Sequence, residues 1–309
     1  MPARDLILPS VIALFAGCAP ASRRPSTPAP VAAADSAVRA AIASERTLNA
    51  ASIPAQTIGV APFRVSAADS TLHVLGYGLA DFLTTDLAQS GRLRVVDRLR
   101  VDAFLRETGL AAAGFVDSAT APRMGRLLGA RRIVSGALLA TTPTRLQLAG
   151  RVGDVVTGTI SPVQGTATAL RNILDAEKAL AFAIFERLGI SLTPAERAAI
   201  QQRPTQDLGA LLAYSRGIRA EGLRDFDRAR AEYRQARRLD PNFTAAGTRL
   251  DFLGDVAAVL PPGPTAISRA GELAVEGINR RTMPGVVGAT DPAFRQRLAA
   301  TIIIILDLP

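Results

Sequence analysis

The chain has 309 residues, of which 48% are hydrophobic, and a formal charge of +9 with one cysteine, Cys18, and one histidine, His73. This length and apolar content allow two folded domains. A single cysteine excludes an intrachain disulfide, and together with a single histidine it excludes a Cys/His metal cluster. A Ser-His-Asp triad would depend on His73, and no G-x-S-x-G turn is present to expose a serine.

The positive charge would by itself favour nucleic acid or an anionic membrane surface as a partner. Lys178 is the only lysine, and the arginines are spread along the whole chain. None of the modules that read DNA or RNA accompanies them. We therefore predict that the protein does not bind nucleic acid.

The amino-terminal residues have the pattern of an export signal. An apolar run at residues 6–17 follows Arg4 and is too short to cross a hydrocarbon core of roughly 30 Å, for which a helix needs about 20 residues. Residues 15–18 (FAGC) resemble the lipobox of bacterial lipoproteins, in which the cysteine is acylated. The resemblance implies a signal peptide at residues 1–17 and a lipidated Cys18.

Cleavage at residues 19–21 (APA) is the alternative and would discard Cys18. Ala19, at a position where Asp would signal inner-membrane retention in many lipoproteins, favours the periplasmic face of the outer membrane. Residues 18–52 are rich in Ala, Pro and Ser, a composition that buries too little apolar surface to offset its ordering entropy. They predict a flexible tether, with a short helix at residues 36–48.

Residues 53–190 alternate short apolar runs with amphipathic helical patterns, which predicts an α/β sheet domain. In the run at residues 144–152, apolar and polar side chains alternate, as in an antiparallel strand with one solvated face. Gly91, Gly129 and Gly189 provide the ends of helices. The predicted strands are 57–63, 93–96, 132–139, 138–142, 144–152 and 155–161, and the predicted helices are 72–90, 99–107, 121–128 and 168–188.

This domain resembles the curli-secretion CsgG family and the related TolB-like amino-terminal domains. The order and spacing of several blocks carry the resemblance over about 80 residues: 58–63 (IGVAPF), 78–87 (GLADFLTTDL), 90–98 (SGRLRVVDR), 104–107 (FLRE), 127–130 (LLGA) and 133–136 (IVSG). The Gly76-Tyr77-Gly78 sequence does not indicate a dinucleotide loop, because these glycines lie within a helical pattern and lack a third glycine.

The resemblance implies envelope-associated assembly or transport and brings no catalytic residue, cofactor or metal. We therefore predict a non-enzymatic envelope lipoprotein that binds envelope or secreted proteins, as an accessory or scaffold in secretion or surface-structure assembly. One alternative is an oligomeric outer-membrane secretion channel of the curli type. The segment of residues 64–71 is short and lacks the aromatic and Asn pattern of that channel's constriction. A second alternative is a ligand-binding or enzymatic module using Asp97, Arg98 and Glu107.

Residues 191–260 predict helices only. A capping box at Thr193 and Glu196 begins a connecting helix, and residues 210–243 match the 34-residue tetratricopeptide pattern. Small residues at Gly217 and Ala229 would let two antiparallel helices approach closely. Asp225 begins the turn between them, and Thr244 begins a capping helix. The positions that carry the repeat are Ala213, Gly217, Ala229, Tyr233, Ala236 and Pro241.

The arginines of these helices have two interpretations. Arg216, Arg219, Arg230 and Arg234 could line a groove for an acidic segment of a partner. The alternative, which we favour, is a solvated face whose arginines pair at helical spacing with Glu221, Asp225, Asp227 and Glu232.

Residues 261–309 form a carboxy-terminal extension. Its last apolar run, residues 301–306 (TIIIIL), is too short to span a bilayer and too rich in β-branched residues for a good helix. It predicts a buried strand. The predicted fold is thus a mixed-sheet α/β domain, followed by an all-α tetratricopeptide-type region and a short terminal strand.

Overall fold

Six strands and nine α-helices form in the part of the chain that the computed structural model describes, residues 29–110, 120–142 and 145–258. The strands are β1 (Thr57–Val60), β2 (Arg64–Ser66), β3 (Arg94–Val95), β4 (Arg132–Thr142), β5 (Arg145–Asp154) and β6 (Ile160–Ala169). The helices are α1 (Ala29–Ala43), α2 (Leu75–Leu87), α3 (Arg98–Glu107), α4 (Ala121–Leu128), α5 (Ile173–Arg187), α6 (Pro194–Gln201), α7 (Leu208–Gly222), α8 (Phe226–Leu239) and α9 (Thr244–Ala258).

The strands form one mixed sheet in the order β3-β1-β4-β5-β6, with β2 pairing to β4 off this path. β1 runs parallel to β3 and β4, whereas β4, β5 and β6 are antiparallel neighbours. The predicted mixed α/β sheet followed by helices is therefore confirmed.

Several local predictions are confirmed because short-range chemistry decides them. α4 spans the predicted residues and ends at Gly129, whose φ of 66° suits glycine. Thr193 and Glu196 form the predicted reciprocal capping box of α6. In β5, the alternate residues Leu146, Leu148, Gly150 and Val152 are buried and their neighbours are more exposed.

The strand predicted at residues 155–161 is wrong. The Asp154 carboxylate accepts hydrogen bonds from the backbone N–H groups of Val156 and Thr157, at 2.9 and 3.0 Å, which folds this segment into a turn. Gly158, with φ of 69°, completes the turn. β6 consequently begins at Ile160 and runs to Ala169. α5 therefore begins at Ile173 and not, as predicted, at residue 168.

Two further predictions need correction near the start of the chain. The flexible-tether prediction is wrong for residues 29–52, which form α1 and two short 3-10 helices, Glu45–Thr47 and Ala50–Ser52. The short helix predicted at residues 36–48 overlaps α1, which begins seven residues earlier and ends at Ala43. An alanine-rich sequence has high helix propensity, and Val31, Ala34 and Val38 share a buried face. In addition, β2 was not predicted; it pairs in parallel with the middle of β4.

The two faces of the sheet are covered unequally. The larger core packs α2, α5 and α7 on one face, and it continues without a break from Ile58 through Tyr214 to Leu253. The smaller core lies on the other face, where α1, α3 and α4 cover β1 and the beginning of β4 around Ile133.

Several predictions lie outside the described residues. These are the signal peptide at residues 1–17, Cys18 with the first part of the tether, and the extension at residues 261–309 with its terminal strand.

Candidate functional site

The predicted packing positions of α7 and α8 come together in the structure. Ala213, Ala229, Tyr233 and Ala236 are buried. A Cβ placed on Gly217 would lie 2.4 Å from Cε1 of Tyr233, so only glycine permits this approach of the helices. Pro241 is exposed in the turn after α8. Asp225 was predicted to begin the turn between the helices, and this is wrong: α7 ends at Gly222, and Asp225 ends the turn as the cap of α8, where its side chain accepts from the N–H of Arg228. The tetratricopeptide assignment itself stays a prediction.

Aromatic rings pack this hairpin against the sheet domain. Tyr214 of α7 stacks on Phe82 of α2 with ring centroids 5.2 Å apart and planes 8° from parallel. Phe243 lies 4.9 Å from Tyr214, and Tyr233 lies 5.5 Å from it. Such contacts add stabilisation to the apolar area that they bury.

A buried cluster of charges lies at the same junction and joins four helices. Arg98 of α3 pairs with Asp81 of α2 at 3.0 Å and also contacts Asp102 and Glu221. Arg249 of α9 pairs with Asp81 at 2.7 Å and lies 3.7 Å from Glu221. We call these five side chains, Asp81, Arg98, Asp102, Glu221 and Arg249, the junction network.

Two tyrosines complete the junction network. The hydroxyl of Tyr214 donates to Asp81 at 2.6 Å, and that of Tyr233 donates to Glu221 at 2.7 Å. Buried carboxylates with charged and hydroxyl partners avoid the penalty of an unpaired buried charge. The network therefore fixes where α7, α8 and α9 sit on α2 and α3.

The electrostatics of the junction network keep its arginines charged. Burial lowers the pKa of Arg98, but Glu221 and the neighbouring aspartates outweigh this effect and raise the pKa overall. Burial raises the pKa of Asp81, but Arg249 and Arg98 outweigh it and lower the pKa overall. For Asp102 burial dominates over the attraction of Arg98, and its pKa rises to about 6.

The sequence placed Glu221 on a solvated face, and this is wrong. Its neighbours on α7 include arginines at helical spacing, yet its side chain is 1% exposed and turns to Arg98 from α3. The alternative site of Asp97, Arg98 and Glu107 does not form. Asp97 caps α3 and Glu107 pairs with Arg39, so these three side chains do not share a site.

The four arginines predicted for a partner groove have separate surroundings. Arg216 pairs with Glu232 at 2.8 Å, and Arg230 pairs with Asp227 at 2.5 Å. Arg219 interacts with the hydroxyl of Tyr77 on α2. Arg234 is exposed. Pairing thus accounts for two of the four and a tyrosine for the third.

A different set of arginines remains free of ion pairs on α8. Among the described residues, no carboxylate pairs with Arg228, Arg234, Arg237 or Arg238, and all four are exposed. Arg238 donates to the neutral Gln235. Arg237 lies against Gly247 of α9, whereas Arg228, Arg234 and Arg238 share the outer side of α8 at helical spacing. We call these three side chains the arginine strip. Of this set, only Arg234 was predicted to line a partner groove.

A second buried cluster lies between α2 and α5. Lys178 Nζ lies 2.6 Å from Oδ2 of Asp86 and 3.2 Å from Oε2 of Glu177. Two carboxyl groups thus share one cation. Burial and then repulsion by Asp86 raise the pKa of Glu177, and burial raises the pKa of Asp86 to about 6 in spite of Lys178. Glu177 consequently keeps its proton at pH values where an exposed glutamate is ionised.

The face of β4, β5 and β6 that points away from α5 has no described helix over most of its area. Its side chains are small or polar: Ser135 and Ala137 from β4, Gln147 and Ala149 from β5, and Ala167 from β6, all half-buried or exposed. Leu139 at the far end of β4 is 41% exposed. We call this surface the open face. On the opposite face, Phe63 and Leu180 fit against Gly136 and Gly150.

Other features of the described residues give less support for a functional site. A cleft of about 220 Å³ between the first turns of α5 and α7 is smaller than typical ligand pockets of roughly 300 to 1,000 Å³. The ring of His73 bonds to the carbonyl oxygen of Ala67. No group of three His, Cys, Asp or Glu side chains in the described ranges is arranged to hold a metal ion. None of the described helices is long and apolar enough to cross a membrane.

Comparisons with known proteins bear on the sheet domain. Residues 40–143 match the family model "Curli production assembly/transport component CsgG". A search of curated proteins gives no match to the sequence. Among solved structures, the chain is similar to the LpoB C-terminal domain from Salmonella enterica, at 14% identity and a TM-score of 0.30, with 44% of this chain and 98% of that chain covered.

Two further structures show similar values. The NMR structure of E. coli LpoB has 14% identity and a TM-score of 0.30, covering 55% of this chain and 82% of that chain. The hypothetical protein CT253 from Chlamydia trachomatis has 13% identity and a TM-score of 0.27, covering 44% and 96%. The resemblance to the curli production assembly/transport family is confirmed for residues 40–143.

Proposed function

We propose that the protein is a non-enzymatic lipoprotein of the bacterial envelope that binds other envelope or secreted proteins, as an accessory in secretion or surface-structure assembly. The match of residues 40–143 to a curli assembly/transport component carries the proposal. Acylation of Cys18 would hold the folded body at the periplasmic face of the outer membrane, where several acyl chains give stable attachment.

The open face is the surface that we assign to protein partners. It presents small side chains, so another backbone or helix can approach closely. Its polar groups, such as Gln147 and Ser135, can donate and accept hydrogen bonds at the rim of an interface. The exposed Leu139 supplies an apolar anchor at one end.

Site-specific photo-crosslinking in intact cells tests this assignment. A photoreactive phenylalanine analogue replacing Gln147 on the open face should give one discrete adduct with an envelope protein. The matched control carries the analogue in place of Glu186, which is exposed on α5. Adducts from the control but none from the open face would contradict the assignment.

A conductance measurement separates the accessory function from the channel alternative. The purified lipoprotein should produce no current steps in planar bilayers and no ring-shaped oligomers in detergent. Reproducible channels from the wild-type protein would favour the curli-type secretion channel.

Acylation itself has a separate test. The wild-type protein should incorporate labelled palmitate and partition with outer membranes, whereas the Cys18→Ser form should do neither. An unlabelled, wholly soluble wild-type protein would contradict the lipoprotein proposal.

A further inference from the structure

The outer side of α8 carries an excess of positive charge that the fold does not use. The nearby acidic side chains already have partners: Asp227 pairs with Arg230, and Glu232 pairs with Arg216. The three members of the arginine strip have no carboxylate partner among the described residues. Arg228 and Arg238 lie ten residues apart, which corresponds to about 15 Å along a helix.

Exposed leucines lie at both ends of this helix. Leu223 precedes α8 and is 46% exposed, and Leu239 ends it and is 43% exposed. Arginines flanked by exposed apolar side chains are the combination found on helices that lie at a membrane surface, where leucine enters the boundary between headgroups and acyl chains.

The position of α1 relates this surface to the membrane. Arg224, in the turn before α8, pairs with Asp35 of α1 and donates to the carbonyl oxygen of Val31 at 3.1 Å. The first turns of α1 therefore contact the turn that precedes α8. Only ten residues separate Cys18 from Ala29, and ten residues span at most about 36 Å when fully extended.

We propose that the arginine strip binds the phosphate groups of the anionic phospholipid surface to which the chain is tethered. This inference rests on the acylation of Cys18 in the proposed function, because the short tether keeps α8 within reach of that surface. Its effect is to orient the body with α8 towards the lipid. An acidic protein segment is less favoured, since the strip lies on the convex outer side of a single helix.

Vesicle binding by an unlipidated chain tests the strip independently of acylation. The chain of residues 18–309 with Cys18→Ser should bind vesicles of 30% phosphatidylglycerol in phosphatidylcholine and should not bind pure phosphatidylcholine. Raising the salt concentration should weaken the binding, because salt screens exposed charges. The triple variant Arg228→Gln, Arg234→Gln, Arg238→Gln should bind about 100-fold more weakly, since each basic residue at a surface contributes a several-fold factor.

The matched control removes three exposed arginines elsewhere: Arg94→Gln, Arg145→Gln and Arg151→Gln. It has the same net charge as the first variant and should keep most of the binding. Equal losses in both variants would show a general charge effect and overturn the proposal, as would wild-type binding to neither vesicle. Binding of poly-glutamate without binding of vesicles would overturn it as well and assign the strip to an acidic protein. Failure of palmitate labelling with intact vesicle binding would remove the proposed anchor but leave the strip.

Discussion

Two sets of arginines lie on or against the helices α7 to α9. They differ in whether a carboxylate pairs with them. Arg98 and Arg249 lie at the junction with the sheet domain and pair with Asp81 and Glu221. The arginine strip lies on the outer side of α8 and has no carboxylate partner among the described residues. The arginines at the junction thus hold the helices α7 to α9 on the sheet domain. Those on the outer side of α8 leave positive charge available for binding.

The largest effect is expected from breaking the junction network. Glu221→Gln keeps the shape of the side chain but leaves Arg98 and Arg249 short of negative charge. Removing one partner of a buried ion pair typically costs about 3 to 5 kcal/mol. We expect a loss of this size in the free energy of unfolding, measured by urea denaturation.

Glu232→Gln is the matched control for that variant. It removes the partner of Arg216, whose side chain is 34% exposed, and such surface pairs contribute about 0 to 1 kcal/mol. Similar losses in the two variants would show that the junction network does not differ from a surface pair.

A smaller effect is expected where α7 meets α8. Gly217→Ala would place a methyl group against the ring of Tyr233, and overpacking of a filled core costs about 1 to 3 kcal/mol. Gly254→Ala in α9 has no neighbouring atom within 4 Å, so its higher helix propensity should stabilise the protein by up to about 1 kcal/mol. Thermal unfolding of both variants measures the difference. A stabilised Gly217→Ala variant would contradict the close packing.

A pH-dependent effect is expected from Glu177. Its pKa is raised above the ordinary value of 4.5, so between pH 4.5 and that raised pKa the folded state holds a proton that the unfolded state has lost. Stability then falls as pH rises, by at most about 1.4 kcal/mol per pH unit from this group. Glu177→Gln removes this slope, so it should match the wild type at pH 4 and exceed its stability at pH 7. Parallel profiles in urea denaturation would exclude a protonated Glu177.

The smallest effect is expected from the arginine strip. Arg234→Gln should change the free energy of unfolding by no more than about 0.5 kcal/mol, as is usual for a surface substitution. A loss above about 1 kcal/mol in urea denaturation would indicate that Arg234 has a structural role instead.

The features that the sequence predicted correctly depend on neighbours along the chain. α4 ends at Gly129, α6 begins at a capping box, and β5 alternates buried and exposed residues, all within a few positions. The missed features depend on distant partners. Glu221 is 123 residues from Arg98, and Lys178 is 92 residues from Asp86. Helical spacing alone placed Glu221 among surface arginines, because nothing in α7 shows that α3 lies against it.

The early start of α1 also depends on distant partners. Composition indicated that residues 29–52 could not form a core of their own, and this holds for an isolated segment. In the protein, Val31, Ala34 and Val38 are buried and Asp35 pairs with Arg106 and Arg224. The partners of α1 lie in α3 and in the turn before α8, beyond the reach of a local pattern.

Native-state hydrogen exchange tests most directly the central claim that α7 to α9 and the sheet domain form one folded body. The core runs unbroken from Ile58 to Leu253, and the junction network links both regions. We therefore predict that the slowest amides of α7 exchange with the same opening free energy as those of β1 and α2, equal to the global value. Exchange of α7 at an opening free energy several kcal/mol below that of β1 and α2 would show that the helices unfold separately and would contradict the account.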